Sequence, residues 1–149
     1  MSTTSISVNL RRQVIDRANG CCEYCLIPDG LSFYPHEVDH VIAEKHGGAT
    51  HIDNLALACW RCNRHKGTDL TSIDPQTGVI TPLFNPRTQH WMDHFHLREA
   101  TIEPLTSEGR VTVHLLQLNH PDRVEERRVL TNKGHYPPSH VTVSQARSK

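Results

Sequence analysis

The sequence predicts an α+β fold: a strand, strand, short-helix unit built around a metal ion, with a helix before it and an α/β extension after it. Three observations predict this. Cys22-Glu23-Tyr24-Cys25 and Cys59-Trp60-Arg61-Cys62 are CxxC pairs, each able to turn two thiolates toward one ion. The stretches between them alternate strand-favouring residues with Gly-rich breaks. Residues 9–19 carry apolar Leu10, Val14, Ile15 and Ala18 at helical spacing, with Arg11, Arg12, Asp16 and Arg17 outside.

Each element follows from local chemistry. Gly20 ends the first helix, whose bland role is packing, although its arginines could touch phosphate. The first CxxC forms a tight knuckle, and Pro28-Asp29-Gly30 a turn. Residues 31–42 read as extended, on Phe33, Tyr34, Val38, Val41 and Ile42. Gly47-Gly48 marks a loop. Residues 54–58 lead into the second CxxC, where a short helix runs to Gly67, a residue suited to a C-terminal cap. Asp74-Pro75-Gln76-Thr77-Gly78 is a turn, followed by strand-like Val79-Ile80-Thr81 and breaks at Pro82 and Pro86. A strand is expected within 91–103, a helix over 107–118 capped by Thr106, and a second over 122–130. The organisation read from this is a core with its N-terminal helix over 1–70, an extension packed on it over 71–131, and a flexible tail over 132–149.

Composition narrows the function classes. The 149 residues suit one domain, or a small domain with an extension. Sixteen basic and sixteen acidic residues balance, so any nucleic-acid surface has to be local. Low aromatic content and a mean hydropathy of −0.51 indicate a modest core, which a metal staple would help. No apolar run is long enough to span a membrane, so no membrane partner is expected. Residues 1–6 lack the regions of a signal peptide, and the reading is cytoplasmic. There, paired cysteines more often bind metal than form disulfides.

Two metal sites emerge. Cys22, Cys25, Cys59 and Cys62 complete a four-thiolate tetrahedron without an open position, which makes it a structural zinc site. Zinc there would supply about 10–16 kcal/mol of apparent folding free energy. Cys21 is left over, beside the knuckle. Between the pairs, Asp39 is a hard oxygen ligand and His40 a base that titrates near neutrality. Adjacent side chains on a regular strand face opposite ways, so the two share a site only if the strand bends or ends there.

Cys22-Glu23-Tyr24-Cys25, Val38-Asp39-His40-Val41-Ile42, Gly47-Gly48, Asp53-Asn54-Leu55 and Cys59-x-x-Cys62-Asn63-x-x-Lys66-Gly67 together resemble the HNH endonuclease family. The resemblance implies a ββα-metal, treble-clef-like core in an HNN variant. It implies that His40 is the general base and that Asn54 orients the base and its loop. Asp39 and Asn63 would hold a catalytic divalent ion. Asn63 stands where many members have His, and two oxygen ligands favour Mg2+ or Mn2+. The implied activity is hydrolysis of phosphodiesters in nucleic acid, DNA ahead of RNA. Rivals are an RNA-cleaving HNH nuclease, a non-catalytic zinc module that binds nucleic acid or protein, and a redox CxxC protein. The sequence leaves the oligomeric state open.

Other residues get weaker readings. Arg61, Arg64, His65 and Lys66 make a small basic patch that could contact phosphate, and Arg87 is a further candidate. Trp60 reads as core. His36 would share a strand face with His40, and His46, His51 and His65 read as solvated. His90, His94 and His96 would share one face of a strand, but no carboxylate or thiolate pattern nearby completes a second metal site. The C-terminal third resembles extensions of small bacterial HNH proteins.

Overall fold

Residues 5–141 and 143–144 are described by a computed structural model of the chain. The first helix, α1 (Val8–Arg17), begins at Ser7, whose Oγ accepts from Leu10 N at 3.1 Å. It buries Val14 against Leu55 and Leu57. Arg17 at its end is not free for phosphate: it donates to the carbonyls of Ile52, at 2.7 Å, and of Leu55.

Next comes the cysteine knuckle, tied by Cys22 N to Ile27 O at 2.9 Å and by a bridge between Cys21 and Pro28. Strand β1 (Glu37–His40) pairs antiparallel with β2 (Leu55–Ala58), so Asp39 lies opposite Ala56 and His40 opposite Leu55. The strand is shorter than the 31–42 expected. Residues 31–34 form bends and find no strand to pair with, so strand-favouring side chains there do not make one. Cys59 caps α2 (Trp60–Lys66), its Sγ accepting from Cys62 N at 3.4 Å. Gly67 ends the helix at φ 53°, a conformation that suits glycine.

The extension opens with a hairpin, β3 (Thr71–Ile73) and β4 (Ile80–Pro82), around the Asp74–Gly78 turn. Then follow α3 (Trp91–His94), β5 (Phe95–Arg98), β6 (Thr101–Pro104), α4 (Ser107–Leu115), α5 (Pro121–Asn132) and β7 (Val143–Ser144), with β5 central in a β6-β5-β7 sheet. Thr106 caps α4 as expected, accepting from Gly109 N at 3.0 Å. The single strand expected within 91–103 is instead one helical turn and two strands. His90, His94 and His96 therefore do not share a strand face; His94 bonds Thr106 Oγ1 at 2.6 Å.

One buried cluster contains the four paired cysteines together with Phe84, Phe95, Leu97, Ile102, Leu116 and Leu118, so knuckle and extension share a core. Two hydrogen bonds fasten that contact: Trp91 Nε1 donates to Tyr24 O at 2.9 Å, and Tyr136 OH to Cys25 O at 2.8 Å. Tyr136 and Val141 are buried in the same cluster, which corrects the loose-tail reading over 133–141. Residues 145–149 of that tail lie outside the described residues.

The hairpin turn is held by a buried carboxylate. Asp74 accepts from Gln76 N at 2.9 Å, Thr77 Oγ1 at 3.0 Å and Arg110 Nη2 at 2.8 Å. The Arg110 hydrogen bonds hold its carboxyl well below the usual aspartate range. A depressed folded pKa gives stability that is full above the unfolded value, roughly 3.9, and lost as pH falls through the folded one. Asp74→Asn is therefore expected to lower the urea midpoint at neutral pH. The gap to wild type should narrow once pH drops below roughly 4. Urea titrations at several pH values check this.

Candidate metal centre and active site

The thiols of Cys22, Cys25, Cys59 and Cys62 all lie within 4.8 Å of one another and are buried; all five cysteines are free. Cys25 and Cys59 Sγ are 3.7 Å apart. Thiolates about 2.3 Å from a tetrahedral zinc would stand about 3.8 Å apart, so the spacing suits that ion. Backbone N–H groups of Tyr24 and Cys25 donate to Cys22 Sγ, each at 3.4 Å. A residue far along the chain completes the surroundings. Arg123 of α5, buried, donates from Nη2 to Cys62 Sγ at 3.0 Å and reaches Cys59 Sγ at 3.7 Å. Burial alone would lower its pKa, but the adjacent thiolates raise it, so it stays a cation. Nothing local in sequence announces Arg123, which is 61 residues from Cys62.

Beside this frame, β1 ends at His40, and that ending meets the geometric demand stated above. Asp39 and His40, 6% and 7% exposed, line one cleft of about 270 Å³ with Asn63 and Arg64. Asp39 Oδ2 is held by Lys66 Nζ at 3.0 Å and Tyr24 OH at 3.4 Å. Burial raises the Asp39 pKa, while Lys66 and the Tyr24 hydroxyl pull it back. Oδ1 has no hydrogen-bond partner among the described residues and is not sealed from solvent.

The His40 ring is oriented by a chain of hydroxyl and carboxylate. Thr50 Oγ1 donates to Glu44 Oε2 at 3.3 Å, so it accepts from His40 Nε2 at 2.9 Å. That fixes the proton on Nε2 and leaves Nδ1 with its lone pair, without a hydrogen-bond partner among the described residues. The strand backbone is fixed too, since His40 O accepts from Lys66 Nζ at 3.1 Å.

Asn54 holds the loop that follows. It accepts from Ile42 N at 3.0 Å and donates to Ile42 O and Ala49 O, both at 2.9 Å. Gly48 is required by this clamp: a Cβ there would lie 1.7 Å from Ile42 O. Asn63 on α2 donates to Glu37 Oε1, which turns Asn63 Oδ1 away as an acceptor. Glu37 was not anticipated, yet it lies two residues before Asp39 and so on the same strand face.

Several expected contacts are corrected. Lys66 is buried between Asp39 and the His40 carbonyl, so its ammonium does not reach phosphate. Arg87 donates to Leu55 O at 2.8 Å and pairs with Glu23, which fastens the extension to β2. Burial lifts the Glu23 carboxyl to about 7, against the pull of Leu57 N–H and Arg17. Arg61 lies 3.6 Å from Glu126, while Arg64 is exposed at the cleft. His36 lies before the strand and bonds Ile27 O at 2.8 Å, a structural role in the knuckle. Trp60 is half-exposed on α2 and stands outside the core cluster.

A ββα unit whose helix and knuckle share four converging thiols, with an Asp-His pair at the end of its first strand, defines a metal-site class of small domain. Residues 22–69, about a third of the chain, match the family described as HNH endonuclease. No curated protein and no solved structure matches the chain. Among the described residues, no helix is long and apolar enough to cross a membrane.

Two predictions follow from these packings. Cys62→Ser should remove a thiol that the ion and Arg123 both need, so purified protein should lose bound zinc and cooperative unfolding. Metal analysis and thermal circular dichroism measure this; a folded, cooperative, zinc-free variant would contradict it. Gly48→Ala should cost about 1–3 kcal/mol, as for overpacked sites, because backbone rather than a flexible side chain has to move. Urea unfolding gives that value.

Proposed function

We propose that the chain is a metal-dependent endonuclease that hydrolyses phosphodiester bonds in DNA. The observation that carries this reading is His40, whose Nδ1 has no hydrogen-bond partner among the described residues, lining the same cleft as Asp39 and Asn63. Structural zinc on the four cysteines keeps the ββα frame in shape.

Asp39 and Asn63 offer two oxygen donors, a set that fits Mg2+ or Mn2+ better than a softer ion. A divalent ion held by this pair would neutralise charge on the phosphate and on the departing oxygen. The rest is done by the chain. Thr50 and Glu44 keep the His40 proton on Nε2, so Nδ1 takes the proton of a water as its oxygen attacks phosphorus in line. The P–O bond opposite breaks, and the leaving 3′-oxygen takes a proton from solvent. Lys66 draws Asp39 toward its ionised form against the effect of burial and fixes the backbone of His40. Glu37 holds the Asn63 amide nitrogen, which leaves the amide oxygen free to act as a ligand. Asn54 acts through the loop and does not touch the reacting atoms.

The test compares wild type with His40→Ala on supercoiled plasmid, single-stranded DNA and RNA, with Mg2+ or Mn2+ and without either. His40→Ala should slow plasmid cleavage by about 10²–10⁴-fold, the usual contribution of a general base. Its zinc content and unfolding transition should match wild type. Undiminished cleavage by His40→Ala overturns the mechanism, and preferential cutting of RNA overturns the assignment to DNA.

A further inference from the structure

The next inference rests on the nuclease reading and concerns where the substrate strand lies beyond the scissile phosphate. The bends at 31–34, between the knuckle and β1, leave an aromatic group in water. Phe33 is 84% exposed, and its ring meets Tyr34 at 4.7 Å between centroids. Tyr34, 48% exposed, stands edge-on to Trp60 at 4.9 Å. The guanidinium carbons of Arg61 and Arg64 lie 5.5 and 5.7 Å from the Trp60 ring centroid.

Two observations say what covers this surface. The first is continuity. Arg64 lines the cleft of Asp39, His40 and Asn63, and also a second cleft of about 380 Å³ on the other side, shared with Trp60, His65 and His120. The second is charge. Of the cations lining that second cleft, Arg123 is engaged by the cysteine thiols and Arg61 lies 3.6 Å from Glu126, which leaves Arg64 as the exposed guanidinium common to both clefts. A neutral aliphatic partner gains nothing from guanidinium groups around an aromatic plane. A nucleotide uses both, its base on the ring and its phosphate on the cation.

We propose that Phe33, Tyr34 and Trp60 form a stacking platform for unpaired bases, with Arg64 taking the adjoining phosphate, so that a single strand passes from the platform into the His40 cleft. The substrate class this selects is single-stranded or locally opened nucleic acid.

Binding of a fluorescein-labelled oligothymidylate and of a blunt duplex is measured by anisotropy, on zinc-loaded protein with no Mg2+ or Mn2+ added. Phe33→Leu keeps an apolar side chain and removes the ring. It should weaken oligothymidylate binding by about tenfold or more and duplex binding less, because base–ring stacking is what it loses. Phe33→Trp should retain binding and show quenched emission on titration with oligothymidylate. Equal binding by Phe33→Leu, or unquenched emission from Phe33→Trp, overturns the platform. So does sedimentation showing that Phe33→Leu abolishes self-association while oligonucleotide binding stays unchanged. Wild type that binds through Phe33 yet cuts nothing with Mg2+ or Mn2+ supports the platform and removes the nuclease reading. Wild type that cuts while Phe33→Leu binds normally does the opposite.

Discussion

Four buried thiols drawn within 4.8 Å of one another are the constraint on which the other parts depend. Two come from the knuckle, one caps α2 and one sits in its first turn, so whatever holds them fixes the angle between knuckle and helix. The helix in turn carries Asn63, Arg64 and Lys66 to the cleft. Thiolates packed this closely need positive charge from an ion and from neighbours. Arg123 supplies part of it from α5, and Tyr136 binds the Cys25 carbonyl from beyond α5. The extension is thereby tied to the frame by charge and hydrogen bonding as well as by the apolar cluster.

Around that frame, three carboxylates are each paired with a cation. Asp39 has Lys66, Glu23 has Arg87 and Asp74 has Arg110. An unpaired carboxylate in such places would protonate or pull water in. Each pair also joins distant segments, so these contacts keep the elements in register. The Asp39 pair does more, because Lys66 holds one carboxylate oxygen and leaves the other without a hydrogen-bond partner among the described residues, on a residue that lines the cleft. The carboxylate is thus anchored and still available.

The frame was legible in sequence because its signals are local and specific. Spacing alone brought Cys22, Cys25, Cys59 and Cys62 together, and the strand end at His40 was demanded by the Asp39-His40 pair itself. Glu37 was within reach of the same period-two reasoning. The misreadings share a cause: they concern residues whose roles are set by distant partners. Lys66 and Arg87 looked like surface cations, yet each neutralises a buried carboxylate, one of them 64 residues away. Residues 31–34 have strand-favouring side chains but no neighbouring strand, so propensity went unused and the rings stayed in water. Trp60, read as core, joined those rings because α2 turns that face outward.

The contact between Arg123 and Cys62 has a further consequence in the order of synthesis. The two residues stand 61 positions apart, with the cysteine first. A ribosome therefore releases all four thiols well before the arginine that balances them. An ion bound at that stage would meet thiols whose charge Arg123 does not yet balance, and α5 would close over it last, like a latch.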